Sequence, residues 1–428
     1  MGAFRNKMKV LIEGPLLTRS GYGEHARLVF ESIRKYPGIE IYAKCVNWGS
    51  TSWSSWYDDE LHQCIVRNSM YLSECSKQGK NPSYDIQIFV GILNEFEKCA
   101  NKSVVVTAGI ETDRVSSNWL LKTHQGVDKI IVPSEHSKLG FEQTSYSFVN
   151  NKTGEQGILE CNAPVDVVPY PVKNTKSTEV NLKLDTKFNF LNIALLGPRK
   201  NLENSIEWFF EEFKEDSEVG LILKTSKARG NVIDRIETLN HIQAIKDKHR
   251  DAKCKLYLLH GNLTEQEIHG LYKHPNIHAL VSATCGEGFG LPIFEAAYSG
   301  MPVIATDWSA HTEFLSAPYK EGGKVKDKKL FAKVKYTLAK IPQNIVWKDI
   351  LIEDSRWAYV DPSSYKQQMR KVYKNYGMYK KWSKALQKHI LKTHADENIK
   401  KQMQDSIMLD KTIKTQPVNS SEMDIITI

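Results

Sequence analysis

The chain has 428 residues, of which 41% are hydrophobic and 25% charged, and its formal net charge is +8. This length is enough for two or three domains, and the composition argues against a mainly disordered or low-complexity protein. No run of about 18 apolar residues occurs, so no membrane-spanning helix is expected. The first residues also lack the apolar core of a secretory leader, which favours a cytoplasmic protein.

The cysteines argue against a disulfide framework and against a structural zinc site. There are 7, their spacings are wide, and no CxxC pair occurs. We therefore expect free thiols in a reducing compartment and no metal site built from cysteine. The residues are Cys45, Cys64, Cys75, Cys99, Cys161, Cys254 and Cys285.

Residues 1–180 alternate short apolar runs with helical patterns, such as the one at 24–35. Near-continuous apolar runs are typical of strands that are buried on both faces of a parallel sheet. Their alternation with helices predicts βαβ units and a first α/β domain. The predicted strands are 9–14, 39–46, 85–91, 103–110, 128–134 and 165–172.

Polar residues at 173–187 predict a linker, after which the alternation restarts. We predict a second α/β domain over residues 181–377, with helices at 202–214 and 265–274. Two such domains in tandem form a cleft, and open α/β sheets bind ligands beyond the carboxyl ends of their strands. The predicted strands are 190–197, 219–226, 254–261, 277–286 and 301–307.

After about residue 360 the pattern is helical, with Gly377 as a candidate break between two helices. Residues 411–428 are polar and are expected to be loosely ordered. The helical segment also concentrates charge, because residues 366–401 hold eleven basic and two acidic residues. The apolar faces of these helices are formed by Tyr365, Met369, Tyr373 and Tyr376, and then by Tyr379, Trp382, Leu386 and Ile390.

The most informative stretch is 284–313, TCGEGFGLPIFEAAYSGMPVIATDWSAHTE. Its glycines allow tight turns, and Pro292 suits the first turn of a helix. A glycine-rich turn between a strand and a helix offers backbone N–H groups to a phosphate. Glu287 and Glu295 would repel that anion, so we expect them to accept hydrogen bonds from sugar hydroxyls instead.

Two carboxylates with seven residues between them in EGFGLPIFEAAYSGMPVIATD resemble the signature of glycosyltransferase family 4, which has the two-domain GT-B fold. GPRKN at 197–201 resembles the family's basic motif for the donor diphosphate. VDKIIVPSEHSKLGF at 127–141 and SGYGEHAR at 20–27 are similar to its first-domain motifs.

The resemblance implies two Rossmann-like domains facing a cleft, with C-terminal helices, about 378–410, crossing back to the first domain. It also implies a retaining, metal-independent enzyme that moves a sugar from a nucleotide diphosphate sugar, a UDP- or GDP-sugar, to an acceptor. No cofactor is expected beyond this donor substrate.

Carried over by position, the family's roles fall on twelve residues. The catalytic candidates are Glu287, which would bind the donor sugar, Arg199 and Lys200, which would bind the diphosphate, and Glu111. Glu295 would bind the ribose. Glu111 stands where many members have a catalytic His. Further donor-binding candidates are the backbone of Phe289, Gly290 and Leu291, the glycines Gly21 and Gly23, and the side chains of Lys224 and His311.

Alternatives remain open at this stage. Gly21, Gly23 and Ala26 match a loose dinucleotide fingerprint, but they lie too far from the first strand for a dehydrogenase. The basic segment 366–401, with its interleaved aromatics, could contact nucleic acid or an anionic membrane, either in a non-enzymatic binding protein or in a transferase acting on modified DNA or a lipid-linked acceptor. The acidic run at 58–60 is interpreted as a solvated loop and not as a metal motif.

Overall fold

The computed structural model describes residues 7–54, 59–107, 110–149 and 156–408. The first domain contains a parallel six-stranded sheet in the order β2-β1-β3-β4-β5-β8, together with the antiparallel hairpin β6–β7. Its strands are β1 (Met8–Gly14), β2 (Ile39–Cys45), β3 (Tyr84–Val90), β4 (Ala100–Val106), β5 (Lys129–Val132), β6 (Tyr146–Val149), β7 (Gln156–Leu159) and β8 (Val165–Val167). Its helices are α1 (Gly21–Ile33), α2 (Glu60–Lys77), α3 (Ser117–Thr123) and α4 (Glu135–Glu142).

Serine caps position three of these helices at the carboxyl edge of the sheet. The side chains of Ser20, Ser116 and Ser134 accept hydrogen bonds from the first turns of α1, α3 and α4. A capping side chain satisfies an N–H group that the helix leaves unpaired. The N-termini of these helices therefore follow strand ends, where a ligand site is expected.

The second domain repeats this architecture with a parallel sheet in the order β11-β10-β9-β12-β13-β16. Its strands are β9 (Phe188–Ile193), β10 (Val219–Lys224), β11 (Lys255–Leu259), β12 (Ala279–Ser282), β13 (Val303–Thr306), β14 (Ser316–Glu321), β15 (Lys324–Lys329), β16 (Ala332–Val334), β17 (Tyr336–Lys340) and β18 (Arg356–Val360). Its helices are α5 (Leu202–Phe213), α6 (Val232–Lys246), α7 (Glu265–Lys273), α8 (Leu291–Tyr298) and α9 (His311–Phe314).

Three helices end the described chain: α10 (Pro362–Lys374), α11 (Tyr376–Thr393) and α12 (Asp396–Ile407). Helix α10 packs on α5 and β16, α11 packs on α8, and α12 packs on α1 of the first domain. The chain therefore returns to the first domain between α11 and α12. The helical break falls at Asn375, and Gly377 lies inside α11. The predicted tail at 411–428 lies outside the described residues.

The predicted α/β architecture of two Rossmann-like domains is confirmed. The sequence analysis missed the hairpins β6–β7 and β14–β15 and the antiparallel pair β17–β18. It was wrong to interpret the acidic run as a loop, because Asp59 caps α2 by accepting the N–H of His62 and Glu60 begins that helix; Asp58 lies outside the described residues. Within the described ranges, no helix combines the length and apolarity that a transmembrane span requires.

Candidate functional site

The glycine-rich loop joins β12 to α8 at the carboxyl edge of the second sheet. Gly290 begins α8 with φ at 92°, a left-handed conformation that favours glycine. A Cβ on Gly286 would lie 2.1 Å from the backbone oxygen of Glu111 in the first domain. The hydroxyl of Ser134 also donates to the carbonyl of Gly288 at 2.8 Å. The loop is thus packed directly against the first domain.

Two cations and two carboxylates meet where this loop faces the first domain. Arg199 Nη2 lies 2.6 Å from Glu111 Oε1, and its Nη1 lies 3.1 Å from Glu287 Oε2. Lys200 Nζ lies 2.6 Å from Glu287 Oε1. Arg199 also donates to the carbonyl of Gly286 at 2.6 Å. The four side chains that the sequence analysis named as catalytic candidates therefore form one ion cluster with balanced charge.

Burial sets the electrostatics of this cluster. Burial alone would raise the pKa of Glu287, but Lys200 and Arg199 lower it to about 2. Burial and the neighbouring Arg199 lower the pKa of Lys200. The pKa of Arg199 is raised, because Glu111 and Glu287 outweigh the effect of burial. Glu287 is therefore ionised throughout the physiological range and holds both cations in place.

A second layer of polar groups supports Glu287 from behind. The Glu287 N–H donates to Ser309 Oγ at 2.9 Å. Ser309 has φ at 76°, an uncommon conformation for a residue with a side chain. The fully buried His311 donates from Nε2 to the carbonyl of Thr306 at 2.7 Å, and its Nδ1 lies 3.4 Å from Ser309 Oγ. His311 thus lies behind the loop and is linked to Glu287 through Ser309.

Glu295 lies on α8 in a separate group. It is half-buried and accepts a hydrogen bond from the Tyr272 hydroxyl at 3.0 Å. Lys173 lies close enough to influence it and pairs with Glu24 at 2.7 Å and with Glu265 at 2.6 Å. Burial raises the pKa of Glu295 to about 7, with Lys173 opposing the rise. A substantial fraction of Glu295 is therefore protonated at neutral pH.

The remaining donor-binding candidates are spread around this centre. A Cβ on Gly21 would lie 4.0 Å from Leu291 Cδ1, so the start of α1 faces the start of α8. Gly23 faces its own turn instead, because a Cβ there would lie 2.2 Å from the Thr18 oxygen. The side chain of Phe289 is buried among aromatic rings. Lys224 ends β10, half-buried, and burial together with Arg19 lowers its pKa.

The sequence analysis missed the residues that join the two domains around the site through contacts between distant parts of the chain. Lys173 bridges Glu24 and Glu265, which belong to different domains. The carboxylate of Glu313 accepts the backbone N–H groups of residues 135 and 136, capping α4 of the first domain from the second. No sequence signal marks these partners, because each contact joins segments at least 90 residues apart. Among the described residues, no group of three or more His, Cys, Asp or Glu side chains could hold a metal ion.

Comparisons with known proteins agree with this architecture. Residues 173–329 match the family model described as glycosyl transferases group 1. Over 119 residues, 28% of the chain, the sequence is 32% identical to the serotype-specific mannosyltransferase WbdA of Escherichia coli, and the match covers 13% of that protein.

Solved structures match over nearly the whole chain. Sucrose-phosphate synthase from Thermosynechococcus elongatus has a TM-score of 0.58 at 11% identity, covering 93% of this chain and 98% of that one. Anabaena HepE, solved in complex with UDP and glucose, has a TM-score of 0.57 at 12% identity, covering 94% of this chain and 100% of that one. At these identities the likeness concerns the fold alone.

These matches favour a glycosyltransferase over the dehydrogenase and nucleic-acid-binding alternatives. The narrower assignment to family 4 stays a prediction. Residues 173–329 supply the family match, and the two parallel sheets supply the fold. Residues 173–329 are thus similar to glycosyl transferases group 1, and the whole chain has the two-domain fold of the solved structures that it matches.

Proposed function

We propose that this protein is a retaining glycosyltransferase that moves a hexose from a nucleotide diphosphate sugar to an acceptor held in the cleft. The observation that carries the proposal is the ion cluster of Arg199, Lys200, Glu111 and the buried Glu287 between the domains. Arg199, Lys200 and Glu287 fall within residues 173–329, which match the group 1 family model, and Glu111 faces them from the first domain.

The donor in this proposal binds along the carboxyl edge of the second sheet. Arg199 and Lys200 contact the diphosphate, Glu287 accepts hydrogen bonds from the sugar, and Glu295 accepts them from the ribose. Lys224 and the backbone of residues 289–291 add further donor contacts, as does the start of α1 at Gly21, whereas Gly23 faces its own turn and serves the shape of that loop. A UDP-sugar is the first donor to test, since the similarly folded HepE was solved with UDP-glucose.

The chemistry follows from charge development on the leaving group. As the bond between the sugar and the β-phosphate breaks, negative charge grows on the phosphate oxygens. Arg199 and Lys200 can stabilise that charge without a metal ion, and one preorganised donor of this kind is typically worth about 3–4 kcal/mol. The acceptor hydroxyl attacks on the same face and passes its proton to the leaving phosphate, so the configuration is retained.

In the free protein, the charges of Arg199 and Lys200 are balanced by Glu287 and Glu111. Both cations already have a carboxylate partner, so the diphosphate must compete with Glu287 and Glu111 for them. Glu111, with its side chain 39% exposed, is the partner that can move away at least cost. We infer that Glu111 releases Arg199 when the donor binds, while Glu287 turns its free lone pairs to the sugar. His311 acts in this scheme as a positioning residue.

Binding and turnover against a panel of sugar nucleotides test the proposal. UDP, GDP and ADP are compared by calorimetry, and their glucose and mannose derivatives by release of the nucleoside diphosphate. Product configuration from NMR coupling constants decides between retention and inversion. Activity that disappears with EDTA and returns with Mn²⁺ would contradict the metal-independent mechanism.

Matched variants separate the site from general effects on folding. Arg199→Ala and Lys200→Ala are expected to lower kcat more than they raise the donor KM, because their contacts strengthen as charge develops. Lys253→Ala, which removes an exposed cation paired with Glu215, serves as the control. Equal effects of all three substitutions would remove the cluster from the mechanism.

A further inference from the structure

Helix α6 carries large apolar side chains on its solvent side. Val232, Ile233, Ile236 and Leu239 are 73%, 68%, 54% and 50% exposed, respectively. The spacing of residues 232, 236 and 239 places them along one stripe of the helix. The opposite side supplies the contacts to the domain, through the buried residues Asp234, Thr238, Ile242 and Ile245. We call the four exposed residues the α6 apolar face; a contiguous patch of this kind on a surface marks an interaction site.

The surroundings of the α6 apolar face are cationic. Arg229, Arg235 and Lys246 are exposed, and within the described ranges none of them has an ion-pair partner. The exposed carboxylate Glu237 is already neutralised by Lys227 at 3.2 Å. The face therefore presents apolar side chains with unpaired positive charge at both ends of the helix.

This face begins at the rim of the cleft between the domains. The loop that leads from β10 into α6 contacts the first domain, where the Ser52 hydroxyl donates to the carbonyl of Arg229 at 2.9 Å. Trp53, the next residue, is 40% exposed. Exposed tryptophans are enriched where proteins lie at a membrane–water interface.

We propose that the α6 apolar face binds the surface of an anionic lipid bilayer. A helix with exposed apolar residues and flanking Lys and Arg lies in the interfacial plane, with its apolar side among the acyl chains and its cations at the headgroups. The inference does not depend on the transferase proposal, because it concerns a surface outside the ion cluster.

A second copy of this chain fits the face less well than a bilayer. Residues 232–239 span only about 10 Å of helix, whereas a stable dimer buries about 800 Å² on each partner. A twofold contact centred here would also bring Arg229 and Arg235 toward their own copies without a carboxylate between them. A fluid anionic bilayer needs no large preformed contact area, and its headgroups supply the negative charge that a second copy lacks.

The basic segment 366–401 offers less for such a contact. Several of its cations are used within the protein: Lys366 pairs with Glu211 and Arg370 with Glu212, while Lys400 on α12 pairs with Glu31 on α1. Lys381, Lys384 and Lys388 are exposed, as expected for a solvated stripe on α11. They serve as the matched comparison for the charges around α6.

The test is co-sedimentation of the full chain with vesicles, with no donor present. Vesicles of phosphatidylcholine alone are compared with vesicles containing about one third phosphatidylglycerol. The triple substitution V232S/I233S/I236S should lower the affinity for anionic vesicles at least about tenfold. The control V66S/M70S/Y71S, on the exposed side of α2, should bind like wild type.

A charge-removal pair tests the electrostatic half of the proposal. R229Q/R235Q/K246Q should flatten the salt dependence of vesicle binding, and K381Q/K384Q/K388Q should leave it unchanged. Thermal unfolding of each variant, measured alongside, confirms that all are folded. Nucleotide affinity should be equal in all of these proteins, because none of the substitutions lies in the donor site. A failure to bind vesicles can therefore be told apart from a failure to bind the donor.

Four results would overturn the proposal. Wild-type protein that stays in solution with anionic vesicles would remove it outright. If V232S/I233S/I236S binds vesicles as tightly as wild type, the contact lies on another surface. The same follows if only K381Q/K384Q/K388Q loses the salt dependence of binding. A dimer in sedimentation velocity that V232S/I233S/I236S dissociates would assign the face to a second copy.

Discussion

Replacing Glu287 by Gln tests how the ion cluster contributes to stability. The substitution keeps the side-chain volume and removes the charge that holds Arg199 and Lys200 at 3.1 and 2.6 Å. The pKa of Glu287 falls from 4.5 to about 2 on folding, because the two cations outweigh the effect of burial. One pKa unit corresponds to about 1.4 kcal/mol, so the ionised carboxylate stabilises the fold by roughly 3 kcal/mol at neutral pH.

The sign of this contribution fixes its pH dependence. A carboxylate with a depressed pKa stabilises the folded state fully above the unfolded value of 4.5, and loses that stabilisation as the pH falls toward 2. The difference between wild type and Glu287→Gln should therefore be constant from about pH 8 to about pH 6. It should shrink to roughly half by about pH 3.

Differential scanning calorimetry is the assay, because a two-domain chain need not unfold in one step and each transition can be followed. For a domain of this size, 3 kcal/mol lowers Tm by roughly 6–12 °C at neutral pH. Glu215→Gln, at an exposed pair with Lys253, should change the free energy of unfolding by less than about 0.5 kcal/mol. Equal Tm values for wild type and Glu287→Gln, or a gap that stays the same at low pH, would refute the reasoning.

Three further predictions concern single residues. Nucleotide affinity should rise between about pH 6 and pH 8, because Glu295, with its pKa near 7, must lose its proton before it accepts two ribose hydroxyls; a pH-independent affinity that matches Glu295→Gln in calorimetry would contradict this. Gly286→Ala should cost about 1–3 kcal/mol in thermal unfolding, because its Cβ would meet the Glu111 oxygen at 2.1 Å, whereas Gly197→Ala, with open space around it, should be tolerated. Met403→Ala, at a fully buried position of α12, should cost about 2–5 kcal/mol in the calorimetric transition of the first domain; an unchanged transition would show that α12 is not part of that domain's core.

Apolar strands were predictable because they are buried on both faces. In β9, four of the six residues are apolar, and two of these, Phe190 and Leu191, are fully buried, so the sequence marks the strand clearly. The hairpin β14–β15 could not be found in this way. Its second strand is KVKDKK, which is mostly exposed, and it pairs with a strand of mixed character. Neither periodicity nor apolar content separates such a strand from a loop.

Some residues of the candidate site could be predicted from the sequence, and others could not. Glu287, Arg199 and Lys200 lie in local motifs, and a motif is visible in the sequence. Their partner Ser309 has no motif, and its left-handed backbone is a property of the folded loop. Lys173 could be placed only in a polar linker, because its two carboxylates lie 149 and 92 residues away. Long-range pairing of this kind depends on the fold and cannot be derived from spacing.

The chain passes between the domains twice, and the two passages touch. The N–H of Val172, in the first passage, donates to the carbonyl of His394, in the second, at 2.8 Å. Beyond His394, α12 is fixed to the first domain by hydrogen bonds from Gln404 to the Ser32 carbonyl and from Ser406 to Asp166. Because the two passages meet at one point, we expect any opening of the cleft to rotate the domains about that point and to separate the Ser134 hydroxyl from the Gly288 carbonyl.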